Sequence, residues 1–115
     1  MARRIGLGGA EAERGEPAPS LCFVLDNNVG WLMHPLWRRG FLVFAPPKDF
    51  PDDISDEELL DMARRLGCFV VSTDRFFEGE ERAVYIPHRW LKRYNSWEIT
   101  TKVIKIAAEK ARRNG

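Results

Sequence analysis

Leu21-Cys22-Phe23-Val24-Leu25-Asp26-Asn27-Asn28 decides how the chain is read. Five apolar residues in a row are short for a helix and suit a strand buried on both faces, and the run stops on a carboxylate. Beyond it, Val29 to Arg39 carries apolar residues at 29, 32, 33, 36 and 37, the spacing of a helix face. Asn28 is its expected N-cap, and Pro35 is expected to kink it. Gly40 ends that helix, and Phe41-Leu42-Val43-Phe44 reads as a second strand closed by Ala45-Pro46-Pro47. Strand, helix, strand is a crossover unit, and crossovers join parallel strands.

The alternation continues. Ser55 and Glu58 stand at the spacing of a capping box, with Asp56 and Glu57 in the positive first turn and Gly67 as the stop. Leu59, Leu60, Ala63 and Leu66 are that helix's expected buried face. Cys68-Phe69-Val70-Val71 follows as a third strand and ends in Ser72-Thr73-Asp74, again placing a carboxylate where a strand exits. Ala83 to Ile86 supplies a short fourth strand. Ser96 is expected to cap a last helix over Trp97 to Arg113, with Ile99, Val103, Ile106 and Ala107 inward. The expected fold is α/β: one domain over residues 21–115, with a mainly parallel central sheet flanked by helices. Residues 1–20 hold only Ile5 and Leu7 as large apolar residues and are expected to be a flexible tail.

At 115 residues and 44% hydrophobic content, the chain can bury one core but not two. No apolar run approaches the ~20 residues of a membrane span. The start lacks the apolar stretch of an export signal, so the expectation is a soluble cytoplasmic protein with no membrane partner. Cys22 and Cys68 lie in separate apolar runs without metal-ligand spacing, and they read as buried thiols, with a bridge between them left open. The absence of glutamine, with 30% charged residues, points weakly to a heat-adapted source.

The formal charge of +1 conceals a strong polarity. Residues 1–45 hold five basic and four acidic groups, residues 46–81 four and eleven, and residues 82–115 nine and two. An acidic middle attracts divalent cations. The basic C-terminal third interleaves Arg89, Lys92, Arg93 and Lys102 with Trp90, Tyr94 and Trp97, which suits a phosphate backbone and unstacked bases. The plainer reading is that Lys110, Arg112 and Arg113 complement the negative end of the last helix and that Trp90 and Trp97 are core or cover.

Ligands of open parallel sheets bind beyond the carboxyl ends of the strands, where Asp26 and Asp74 are expected. Two uncompensated carboxylates that converge there call for a proton or a cation. Magnesium and manganese take one or two carboxylates and keep waters, the arrangement that activates water against a phosphodiester. Asp56 is the third candidate, at a helix start on the same edge. Each of the three also has a plain reading as a cap or turn residue. Asp49, Asp52 and Asp53 read as a solvated loop, as do Glu78, Glu80 and Glu81, although Glu78 could complete a metal shell. His34 and His88 have no ligand spacing.

Phe23-Val24-Leu25-Asp26-Asn27-Asn28, Ser55-Asp56-Glu57-Glu58-Leu59-Leu60-Asp61-Met62-Ala63 and Val70-Val71-Ser72-Thr73-Asp74-Arg75-Phe76-Phe77, with Gly67 between the last two, resemble the short PIN-like domains, the fold of VapC-type toxin ribonucleases. The resemblance covers residues 21 to 78. It implies a metal-dependent endoribonuclease in which Asp26, Asp56 and Asp74 hold Mg²⁺ or Mn²⁺, supported by Asn28, Ser72, Thr73 and Glu78. It further implies an RNA substrate, a restraining antitoxin and a homodimer. Phe76 departs from the pattern, because many relatives carry a second aspartate there, two residues beyond the position matching Asp74. That departure motivates the alternative, a PIN-like module that binds RNA or protein without cutting.

Overall fold

The computed structural model describes residues 20–114, so the tail expected over 1–20 lies, Ser20 apart, outside the described residues. Four strands, β1 (Cys22–Leu25), β2 (Leu42–Phe44), β3 (Phe69–Ser72) and β4 (Ala83–Tyr85), form one sheet in the order β2-β1-β3-β4. All three ladders are parallel, as the crossover pattern requires. The helices are α1 (Met33–Arg38), α2 (Asp56–Leu66), α3 (His88–Arg93) and α4 (Ser96–Asn114).

Pleating sends alternate side chains to opposite faces, and here it divides the core in two. Phe23, Leu25, Phe69, Val71 and Val84 pack with Val29, Leu32 and Leu36 and with Ile99, Val103 and Ala107 of α4. Val24, Val70 and Ala83 point the other way, against Leu59, Leu60 and Ala63 of α2, with Phe50 and Phe77 closing that side. Burying one such Leu or Phe contributes about 1.5–3 kcal/mol, so the sheet is held chiefly by these two layers.

Several expectations need correction. Residues 29–39 are not one helix kinked or split at Pro35: a 3-10 segment, Asn27–Leu32, precedes α1, and the irregular residue is Val29 at φ −127° and ψ 26°. Pro35 sits in the first turn of α1, where a missing N–H disrupts no helical bond. Asp26, not Asn28, caps the segment, its Oδ1 accepting from the Asn27 N–H at 2.8 Å. Asn95, not Ser96, caps α4, through a reciprocal pair with Glu98 at 2.8 and 2.9 Å. Leu66, the last residue of α2, overhangs the sheet and is 46% exposed. α3 is an addition, six residues with none buried, so no apolar periodicity announces it. Cys22 and Cys68 are joined in a disulfide between the starts of β1 and β3 rather than left as thiols.

The capping box at Ser55 and Glu58 forms as expected, and Gly67 ends α2 in the left-handed region at φ 72°. A Cβ at Gly67 would meet nothing within 4 Å, so only backbone conformation disfavours a larger residue. Gly67→Ala is therefore expected to destabilise the fold by about 1 kcal/mol, read as a lower urea midpoint at unchanged m-value.

Candidate functional site

The strand order reverses beside β1: the chain steps from β1 to β2 on one side, then returns across to β3 on the other. At such a switch point the loops leaving the carboxyl ends of the two strands part, and a crevice opens between them. Asp26 leaves β1 at that point and Asp74 leaves β3 two residues beyond its end. α2 starts at the same edge, after β2 and its loop, and brings Asp56 as its first residue.

A small set of hydrogen bonds fixes the two exits. The buried Ser72 hydroxyl donates to Asp26 Oδ2 at 2.7 Å, and its Oγ accepts from the Asp74 N–H at 2.9 Å. Asp74 Oδ1 accepts from the Phe76 N–H at 2.9 Å, which turns the chain into the 3-10 turn Arg75–Phe77. Asn28 Oδ1 receives the Thr73 N–H at 3.4 Å. Asn27, unmarked in the sequence reading, donates from Nδ2 to the Asp52 carbonyl at 3.2 Å and so ties the acidic loop to the β1 exit. Its signal was present in the Asp-Asn-Asn run, but nothing local told which amide would face the loop.

Asp26 and Asp56 are half-buried and Asp74 is exposed. Among the described residues none of the three is ion-paired. Burial, first, and then the negative charges of Asp74, Asp26 and Glu57 push the Asp56 carboxyl above its usual range, so Asp56 lies within electrostatic reach of the other two aspartates. As the side chains stand, no three His, Cys, Asp or Glu among the described residues gather closely enough to ligate one ion together. The donor set still fits a hard cation that needs only one or two carboxylates and retains its waters, because the oxygens of Asp26 and Asp74 keep unused lone pairs. Glu78 lies apart from this use, paired with Arg75 at 3.2 Å on the surface.

The basic residues gather around α3, which begins just beyond the exit of β4 and hence on the same edge as Asp74. Arg89, Lys92 and Arg93 line a groove of about 300 Å³ with Trp90 and Tyr94. A neighbouring groove of about 260 Å³ is lined by Tyr94, Trp97, Glu98, Thr101 and Lys102. Lys102 Nζ stands 4.2 Å from the Tyr94 ring and 5.5 Å from that of Trp90. Arg39 crosses from the end of α1 to lie 3.7 Å over Trp97, its Nη2 donating to Thr101 Oγ1 at 2.8 Å. Trp90 is half-buried cover for the core, whereas Trp97 remains 55% exposed.

The raised Asp56 value has a direct consequence. A carboxyl whose folded pKa exceeds its unfolded one disfavours the fold when ionised; that penalty is full above the folded value and fades as pH falls toward 3.8. Followed by carboxylate NMR, Asp56 is expected to titrate above 3.8, and Asp74→Asn to move its midpoint down. An unmoved midpoint would separate the two side chains electrostatically. Compared with protein-family models, curated proteins and solved structures, the chain matches none, so the meaning of this edge rests on its own geometry.

Proposed function

We propose that the protein is a metal-dependent endoribonuclease whose centre is the Asp26, Asp56 and Asp74 edge. The observation that carries this reading is that two strand exits carrying Asp26 and Asp74 are tied together through Ser72 at the switch point, with Asp56 at the same edge and none of the three ion-paired among the described residues. A Mg²⁺ or Mn²⁺ ion held by Asp26 and Asp74, with Asp56 beside it, would supply the charge that favours attack of water on a phosphodiester. The chain's own residues prepare the position. Ser72 orients Asp26 and fixes the Asp74 backbone, so one buried hydroxyl keeps both acids in register. The grooves around Arg89, Lys92, Arg93 and Lys102 offer cations and aromatic rings to a single strand entering from α3.

Antitoxin control and pairing of two copies belong to the same reading and rest on the resemblance, while a cytoplasmic setting rests on the sequence's want of an apolar span or export signal. No helix among the described residues is long and apolar enough to cross a membrane. The Cys22–Cys68 disulfide argues against a reducing mesophilic cytoplasm, and it agrees with the heat-adapted composition, since intracellular disulfides are common in hyperthermophiles.

Phe76 supports the second reading, a module that binds without cutting, because it sets an aromatic ring, 38% exposed, where a further carboxylate would strengthen the site. Calorimetric titration with Mn²⁺ and cleavage of a labelled single-stranded RNA separate the two. The nuclease reading expects Mn²⁺ binding and metal-dependent cleavage, both lost in Asp26→Asn, with Ser72→Ala weakening them roughly tenfold. RNA binding without cleavage selects the module. Cleavage unchanged in Asp26→Asn rejects the proposed centre.

A further inference from the structure

The two edges of the sheet are finished differently. In β4, Arg82, Val84 and Ile86 face β3, since the Arg82 carbonyl accepts from Val70 and the Ile86 N–H donates to Ser72; Ala83 therefore faces outward. That outward carbonyl is covered: Lys110 Nζ reaches from α4 to the carbonyls of Ala83, at 2.6 Å, and Glu80, at 2.9 Å. Such a lysine discourages strand addition at the Ala83 end of that edge.

β2 has no comparable cover among the described residues. The Asp26 N–H bonds to Val71, so Val24 faces β3 and Phe23 faces β2; the register then turns Leu42 and Phe44 toward β1 and Phe41, Val43 and Ala45 outward. The Phe41 N–H is taken by the Leu36 carbonyl, and both Ala45 groups are taken by Asp49. Val43 is left with its N–H and C=O directed away from the sheet. Beside it runs a groove of about 610 Å³, lined by Gly30, Trp31, Met33, His34, Trp37, Val43 and Lys48. Trp37 is 65% exposed and Trp31 41%, and on the opposite face Leu42 is 60% exposed. Aromatic side chains of this kind, seldom left bare, are the usual anchors of interfaces.

We propose that this edge binds an extended acidic and apolar segment of another protein as a fifth strand. The pleat of an added strand sends alternate side chains into the Trp31–Trp37 groove and over Leu42, while Val43 supplies two main-chain hydrogen bonds. Charge selects the partner. Lys48 lines the groove at one end and Arg38 stands one turn beyond its His34 at the other, while the nearby Asp49 carboxylate is taken up by the Ala45 N–H. The glutamates of an acidic strand meet both cations.

The probe is a synthetic eight-residue peptide alternating glutamate with valine and leucine, compared with a twin carrying lysine for glutamate. Tryptophan fluorescence is expected to report binding of the acidic peptide at least tenfold tighter than the lysine twin, with slowed hydrogen exchange at the Val43 amide. Trp37→Ala is expected to weaken it at least tenfold, and Lys48→Glu to shift preference toward the lysine twin. Equal binding of the two peptides, binding without protection of Val43, or a dimer in sedimentation that Trp37→Ala dissociates would each overturn the proposal.

Discussion

In the ladder between β1 and β3, Leu25 stands opposite Val71, and the next residue of each strand is Asp26 on one side and Ser72 on the other. Because the strands are parallel, both chains leave the sheet at one edge, and their first polar side chains must meet there. The 2.7 Å hydrogen bond from Ser72 to Asp26 is that meeting. Ser72 is fully buried, so its hydroxyl needs a partner, and leaving it unmade would cost about 1–3 kcal/mol. The same hydroxyl oxygen receives the Asp74 N–H, so the register of two hydrophobic strands is transmitted directly to the placement of two carboxylates.

The opposite end of the same strand pair is closed covalently by Cys22–Cys68, which links residues 46 apart. In a chain-entropy view, closing a loop of that length stabilises the fold by about 4 kcal/mol. β1 and β3 are therefore tied at their starts by a covalent bond and at their ends by Ser72, with both apolar layers packed between. Burial, and then the negative charges of Asp74 and Asp26, raise the Asp56 carboxyl above its usual range, and no ion pair among the described residues offsets any of the three acids.

The strands, α2 with its capping box and Gly67, and the three strand-edge acids were legible because each rests on local chemistry: an apolar run, a cap spacing, a carboxylate at a boundary. What escaped depends on partners distant in sequence. Whether Asp26 or Asn28 capped the 3-10 segment turned on Thr73 taking the Asn28 oxygen, a contact across 45 positions. Asn95 outcompeted Ser96 by one residue because Glu98 lies three beyond it and completes a reciprocal pair. α3 buries none of its residues and so left no periodic trace, although it carries the cations the charge count had singled out. The disulfide required knowing that β1 and β3 are neighbours, a fact of topology rather than of spacing.

Topology also gives the segregated charges a common direction. Asp26, Asp56, Asp74 and the start of basic α3 lie at one edge because every strand delivers its exit there. In bulk water these opposite charges would seek each other, yet the ion pairs that form among the described residues join Arg64 to Glu80, Arg65 to Asp61, Arg75 to Glu78 and Arg113 to Glu81, none of them at the aspartate edge. Arg89, Lys92 and Arg93 instead line a groove with aromatic rings. On the reading proposed above, these separate acidic and basic surfaces would suit a polyanion carrying its own divalent counterions, its phosphates toward the cations and its metal ions toward the carboxylates.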